Sequence, residues 1–269
     1  MLPHGSFTAV VGARPAAVVV AAATGLVVGS FLNVVVYRTP RKVSVVRPGS
    51  FCPTCETPIR GYDNVPLVSW LLLRGRCRTC RTPISVRYPA VELATAVLFG
   101  SLAWLAGPHW TLPGLCVLAA TVLVLALIEL DGLPPEPGVA QVGTVAGVAL
   151  LTAAALADQR WWRLIGMSIG TFAAVGILAL VARTRTRTTA MARAPWGLLP
   201  AGPLFGWLGP IGSLVGVALT VAVLLAERKM RHSSRFGIRE GAPGASVAVG
   251  AAAVAAVISA WAGGSSVGL

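Results

Sequence analysis

The chain has 269 residues, of which 55% are hydrophobic and 12% charged, and its formal net charge is +13. Its mean hydropathy is +0.77. These values exclude an ordinary soluble domain and indicate a polytopic membrane protein. The basic excess alone would suggest nucleic-acid binding, but its placement between apolar segments is better explained by membrane orientation and lipid headgroups. We therefore expect membrane lipid, and no nucleic acid, as a partner.

Several apolar segments are long enough to cross a hydrocarbon layer of roughly 30 Å. They are residues 16–36, 89–106, 112–130, 138–157, 164–182 and 243–263. The segment 196–226 is too long for one span and is broken near Leu208-Gly209-Pro210, so we interpret it as two shorter helices. The sequence therefore predicts an all-α membrane protein with about eight transmembrane helices.

The basic residues predict the orientation of the chain. Of the 22 Lys and Arg, ten lie in 37–88, four in 183–195 and five in 227–241. Eight helices place these three segments on one side, which the positive-inside rule assigns to the cytoplasm. The predicted organisation is a first transmembrane helix (1–36), a cytosolic domain (37–88) and a transmembrane helical domain (89–269). We expect no internal repeat with a fixed period.

Four cysteines in the cytosolic segment form two CxxC pairs with 21 residues between them: Cys52, Cys55, Cys77 and Cys80. This spacing can close a tetrahedral four-sulfur site, the geometry that zinc favours. Two disulfides are the alternative, but they require an oxidising compartment, and the cytosolic placement favours zinc. A closed site of this kind is structural, so we expect a small zinc-ribbon-like loop domain. The fifth cysteine, Cys116, lies in an apolar span and is expected to pack there.

From Gly29 to about Thr95 the chain resembles the N-terminal region of the type IV prepilin peptidases, which are leader peptidases and N-methyltransferases. The matching residues are Gly29-Ser30-Phe31-Leu32-Asn33-Val34-Val35-Val36-Tyr37-Arg38, Cys52-Pro53-Thr54-Cys55, Tyr62-Asp63-Asn64-Val65-Pro66-Leu67-Val68-Ser69-Trp70-Leu71, Leu73-Arg74-Gly75-Arg76-Cys77, Cys80 and Ile84-Ser85-Val86-Arg87-Tyr88-Pro89-Ala90-Val91-Glu92-Leu93. The resemblance implies a protein of the bacterial inner membrane that acts on type IV prepilin-like or pseudopilin-like substrates, in pilus assembly or type II secretion. It also implies S-adenosylmethionine as the cofactor of the methylation step, which the family associates with this region.

Two polar residues of the matching region lie in predicted spans. Asn33 is costly in lipid and should face protein or water, an interhelical hydrogen bond being the simplest role. Glu92 lies near the cytosolic end of the second span. It either pairs with a loop arginine or lines a substrate or cofactor cleft.

The resemblance implies two catalytic aspartates at the cytosolic membrane edge, which would activate water and protonate the leaving amine. In the first motif Glu129 falls at the expected aspartate, and Asp131 would substitute if the register shifts. In the second, Gly197 stands where the aspartate is expected, and no Asp or Glu occurs between Asp158 and Glu227. The dyad is therefore incomplete, unless a pair such as Asp131 with Glu92 replaces it.

Two functions remain open from the sequence. The chain is an active enzyme of the family that cleaves leaders, methylates new N-termini, or does both. Alternatively, it is a catalytically silent member that binds prepilin-like helices as an assembly factor. A transporter is a weaker reading, because no span carries the buried charges of an ion relay.

Overall fold

The computed structural model describes residues 4–184 and 198–207. Within these ranges the chain is helical, with two isolated antiparallel β-bridges in the loop 37–88. The helices are α1 (His4–Arg38), α2 (Val68–Leu72), α3 (Arg87–Ala106), α4 (Leu112–Leu130), α5 (Pro137–Ala157), α6 (Trp161–Thr184) and α7 (Leu198–Trp207). The predicted all-α class is confirmed for this part of the chain.

Proline and glycine fix the ends of the long helices. Pro113 lies in the first turn of α4, and Pro137 is the first residue of α5. Proline suits these positions because the first N–H groups of a helix have no partner within it. Gly107 ends α3 with φ of +70°, and Gly132 adopts the same φ just after α4. Glycine takes this left-handed conformation without steric cost, which stops each helix there.

Four helices of the described part are long and apolar enough to cross a membrane: Arg14–Arg41, Arg87–Ala106, Leu112–Leu130 and Pro137–Ala157. They match four of the predicted spans. The fifth predicted span, 164–182, lies within α6 but is not among these four. The later predicted spans lie largely or wholly outside the described residues, as does the break near Leu208-Gly209-Pro210. The count of eight therefore stays a prediction.

The chain divides into two compact units, Met1–Pro108 and His109–Leu269. In the first, α1 packs against α3 at two glycines one turn apart. A Cβ atom added at Gly25 would lie 2.7 Å from the Cα of Ala96, and one at Gly29 would lie 2.7 Å from the Cα of Glu92. The two backbones therefore approach as closely as in the small-residue contacts of membrane helices.

In the second unit α4 packs on α5, and α6 packs on α7. Leu118, Leu125 and Ile128 of α4 are fully buried. Arg163, in the first turn of α6, is also buried, and its Cζ lies 5.2 Å from the centroid of the Trp207 ring of α7. An aromatic ring face attracts a guanidinium, so this contact helps α6 and α7 to hold the cation inside the unit.

Candidate metal centre and acidic sites

The two cysteine pairs lie on two turns of the same design. Cys52 N–H donates to the carbonyl of Thr57 at 3.0 Å, and Cys77 N–H donates to the carbonyl of Thr82 at 2.9 Å. In each turn the residue directly after the second cysteine takes a left-handed conformation, with φ of 54° at Glu56 and 60° in the other turn. Both turns therefore fold back in the same way and present their two thiols to one side.

The sequences of the two cysteine turns repeat with an offset of 25 residues, from Cys52 to Cys77. The repeated identities are Cys52 and Cys77, Thr54 and Thr79, Cys55 and Cys80, Thr57 and Thr82, Pro58 and Pro83, and Ile59 and Ile84. Our expectation that the chain holds no fixed-period repeat is therefore wrong for this loop. Each copy also closes with a β-bridge, Phe51 to Pro58 and Arg76 to Pro83.

The four thiols form one cluster. The sulfur atoms of Cys52, Cys55, Cys77 and Cys80 all lie within 4.8 Å of one another. Cys52 Sγ and Cys80 Sγ are 3.7 Å apart. Zinc–sulfur bonds of about 2.3 Å in a tetrahedron give a sulfur–sulfur edge of about 3.8 Å, whereas a disulfide requires about 2.05 Å. All five cysteines are free thiols. The residues therefore fit a four-coordinate metal ion.

One thiol of the cluster, that of Cys80, favours the thiolate form that binds metals. Cys80 Sγ lies 3.2 Å from Thr82 Oγ1. Hydrogen bonds from the side chain and backbone of Thr82 lower the pKa of the Cys80 thiol to about 6. A thiol with this pKa is largely ionised at neutral pH, as metal coordination requires.

A bidentate ion pair secures the second cysteine turn. Arg78 donates from Nε to Asp63 Oδ2 at 2.8 Å and from Nη2 to Asp63 Oδ1 at 2.6 Å. The Arg78 guanidinium holds the pKa of the Asp63 carboxyl below its usual range. Asp63 lies between the two cysteine pairs and Arg78 within the second, so the ion pair fixes the linker against the second cysteine turn. No spacing rule in the sequence predicts this contact.

The loop is tied to the membrane helix α3 through Glu92. This buried carboxylate accepts a hydrogen bond from the backbone N–H of Leu67 at 2.7 Å. This bond to a backbone N–H is not the arginine pairing that we expected, and the alternative, a position that lines a substrate or cofactor cleft, stays a prediction. Nearby, Trp70 Nε1 donates to the carbonyl of Ile84 at 3.1 Å, which brings the linker against the chain that enters α3.

The interhelical hydrogen bond predicted for Asn33 is confirmed. Its Nδ2 donates to the carbonyl of Tyr88 in α3 at 3.2 Å. A second carbonyl, that of Gly29, lies 3.3 Å from the same nitrogen. Cys116 is buried in α4, as expected for a packing residue.

The first acidic motif surrounds the connection between α4 and α5. Glu129 is half-buried in the last turn of α4, Asp131 is exposed directly after it, and Glu136 is half-buried just before α5. Asp158 lies at the other end of this helix pair, where its Oδ2 is 3.2 Å from His109 Nε2. The 19 residues of α4 give a separation of about 28 Å, so Asp158 cannot join Glu129 in one site. Gly197 lies outside the described residues.

These features define a multi-pass helical membrane protein with a four-thiol loop beside its first helices. A family model described as the bacterial peptidase A24 N-terminal domain matches residues 23–106. The chain is 34% identical to a prepilin leader peptidase/N-methyltransferase of Neisseria gonorrhoeae, over 81% of this chain and 85% of that protein.

Other relatives agree with this assignment. A type 4 prepilin-like proteins leader peptide-processing enzyme of Escherichia coli is 38% identical over 76% of this chain and 82% of its own length. A prepilin leader peptidase/N-methyltransferase of Myxococcus xanthus is 48% identical over 47% of this chain and 38% of its own length. The chain belongs to the prepilin leader peptidase/N-methyltransferase family. No solved structure matches it.

Proposed function

We propose that this chain processes type IV prepilin-like or pseudopilin-like substrates at the cytosolic face of the bacterial inner membrane, by leader cleavage, N-methylation or both. The observation that carries the proposal is the 34% identity to the Neisseria gonorrhoeae enzyme across 81% of this chain. The first unit supports it, because the turns, thiols and helix contacts of the matching region form one connected structure.

The four-thiol cluster is proposed as a structural zinc site. Cys52, Cys55, Cys77 and Cys80 would hold the ion, and a closed site of four sulfurs leaves no position open for substrate. When bound, zinc supplies cross-linking between the two turns rather than Lewis-acid chemistry. The chain's own residues then position the loop, with Glu92 fixing the linker to α3. S-adenosylmethionine is the methyl donor that the family relationship suggests.

For the cleavage step, Glu129 and Asp131 are the candidate catalytic carboxylates. Glutamate is one methylene longer than aspartate, which displaces the carboxylate by more than catalytic geometries usually tolerate. The second carboxylate of a dyad is missing from the sequence at Gly197. This favours an alternative, a catalytically silent member that binds prepilin-like helices as an assembly factor.

Co-expression with a prepilin-like protein, in a host without its own prepilin peptidase, tests these functions. Leader removal is followed by immunoblotting, and N-methylation by mass spectrometry of the substrate N-terminus. If the chain cleaves, Glu129→Ala or Asp131→Ala should lower the rate by orders of magnitude. Glu136→Gln, on the same connection, is the matched control and should retain cleavage.

The outcomes separate the two candidates. Cleavage that survives both alanine variants would contradict the assignment of the carboxylates. Methylation of a pre-cleaved substrate, without any leader removal, would show that the chain is a methyltransferase and not a peptidase. A substrate that co-purifies with the chain, but is neither cut nor methylated, would identify the silent assembly factor and refute the enzyme proposal.

A further inference from the structure

The linker between the two cysteine pairs exposes a row of aliphatic side chains. We call it the leucine edge: Val65, Val68, Leu71 and Leu72, which are 45%, 48%, 58% and 78% exposed. The last three lie on the short helix α2 at positions i, i+3 and i+4, so they share one face. The face is small, yet its two leucines project from a loop that is otherwise rich in arginine.

The attachment of the linker to α3 places the leucine edge near one end of a candidate membrane span. Leu67, directly before α2, is hydrogen-bonded through its N–H to Glu92. Glu92 is the sixth residue of the candidate span Arg87–Ala106, about 8 Å along the helix from its start. A 20-residue helix is only about as long as the hydrocarbon layer is thick. The start of the leucine edge is therefore held about 8 Å along the helix from one end of this candidate span.

The basic residues around the leucine edge favour anionic lipid. Residues 37–88 carry ten Lys and Arg against two acidic residues, Glu56 and Asp63. Asp63 is already engaged by Arg78. Arg74 and Arg76 follow the leucine edge directly and are exposed. Basic residues beside exposed apolar side chains are the combination by which interfacial segments bind anionic bilayers.

We propose that residues 65–76 are seated in an anionic lipid surface, with the leucine edge below the headgroups and Arg74 and Arg76 among them. The seat holds the four-thiol loop against the membrane on the side where α1 ends and α3 begins. It is independent of the processing activity, because it uses none of the candidate catalytic residues.

Hydrogen–deuterium exchange of the full chain in lipid nanodiscs tests the seat. Discs of phosphatidylcholine alone are compared with discs containing 30% phosphatidylglycerol, at one copy of the protein per disc. The amides of 68–76 should exchange more slowly in the anionic discs. Each arginine near an anionic surface contributes about a fivefold effect, so Arg74→Ser/Arg76→Ser should reduce the difference in exchange rate by about 25-fold.

Two aliphatic variants separate the leucine edge from general loop exposure. Leu71→Ser/Leu72→Ser should abolish the protection, and Leu72→Ser alone should weaken it if the double variant folds poorly. Val46→Ser is the matched control, since Val46 is 76% exposed in the same loop but lies outside the edge. It should leave the protection unchanged, and an unchanged thermal midpoint verifies that each variant is folded.

Three results would overturn the proposal. The first is equal hydrogen exchange in neutral and anionic discs, which would rule out anionic lipid as the occupant of the leucine edge. The second is protection that increases with the number of copies per disc, which would identify a second copy of the chain as the occupant. The third is protection that persists in lipid-free amphipol, which would show that the edge is covered by the protein itself.

Discussion

Replacing Gly25 by alanine tests the close approach of α1 and α3. The added Cβ would lie 2.7 Å from both the Cα of Ala96 and the carbonyl oxygen of Thr95. Ordinary carbon contacts are about 3.5–4.0 Å, so the shortfall is about 1 Å. The obstructing atoms belong to the backbone of α3 and cannot rotate away, so the two helices must separate.

The size of the effect follows from two opposing terms. Overpacking at a contact of this kind costs about 1–3 kcal/mol. Alanine in place of glycine stabilises a helix by about 0.5–1 kcal/mol. We therefore expect Gly25→Ala to destabilise the protein by up to about 2 kcal/mol. At roughly 2–4 °C per kcal/mol for a chain of this size, the thermal midpoint should fall by several degrees.

Gly100→Ala in α3 is the matched control. It lies on the same helix pair, but its added Cβ would meet the Cβ of Ala22 at 3.6 Å, an ordinary contact. This variant gains the helix stabilisation of alanine over glycine without the overpacking cost, so its thermal midpoint should be unchanged or higher. Both proteins are compared by near-ultraviolet circular dichroism in the same detergent. Equal midpoints for Gly25→Ala and Gly100→Ala would refute the close approach of the two backbones.

Three further predictions concern the loop. Cys52→Ser should abolish the proposed metal binding and unfold the loop, whereas Cys116→Ser should do neither; elemental analysis and limited proteolysis measure both, and equal tolerance would contradict the four-sulfur site. Glu92→Ala leaves the part-buried N–H of Leu67 without its charged acceptor and should cost about 1–3 kcal/mol. Glu92→Gln keeps a carbonyl acceptor and should cost less, as thermal unfolding of the two variants would show. Because Arg78 lowers the pKa of Asp63, this pair should stabilise the loop fully above the ordinary aspartate pKa of about 3.9. The stabilisation should be lost as the pH falls through the lowered value, and hydrogen exchange of the second cysteine turn in Asp63→Asn should lack this pH dependence.

The helix boundaries could be predicted because proline and glycine mark them locally. The expected span 112–130 coincides with α4, and 89–106 differs from α3 by two residues at one end. Cys52, Cys55, Cys77 and Cys80 were predicted as one site because the CxxC spacing itself encodes a shared turn. The 25-residue repeat was also present in the sequence, but different residues occupy the intervening positions, and these obscured it.

Contacts between distant positions could not be predicted in the same way. The Glu92 carboxylate accepts from a backbone N–H, which has no residue identity that a sequence pattern could register. The partner of Asp63 is one of ten basic residues in the loop, and only the folded turn brings Arg78 within reach. Such contacts between distant residues hold the loop in place against α3. The four-thiol cluster, by contrast, follows from the local CxxC spacing.

The bond between Glu92 and the Leu67 N–H has a mechanical consequence. It attaches the middle of the linker to α3, which itself packs closely against α1. A disturbance at the thiols should therefore reach the packing of α1 and α3 through this hydrogen bond, together with the bond from Trp70 to Ile84. If the four thiols hold a metal ion as proposed, its removal should destabilise the packing of α1 and α3 as well as the loop, and the two should unfold in one cooperative transition.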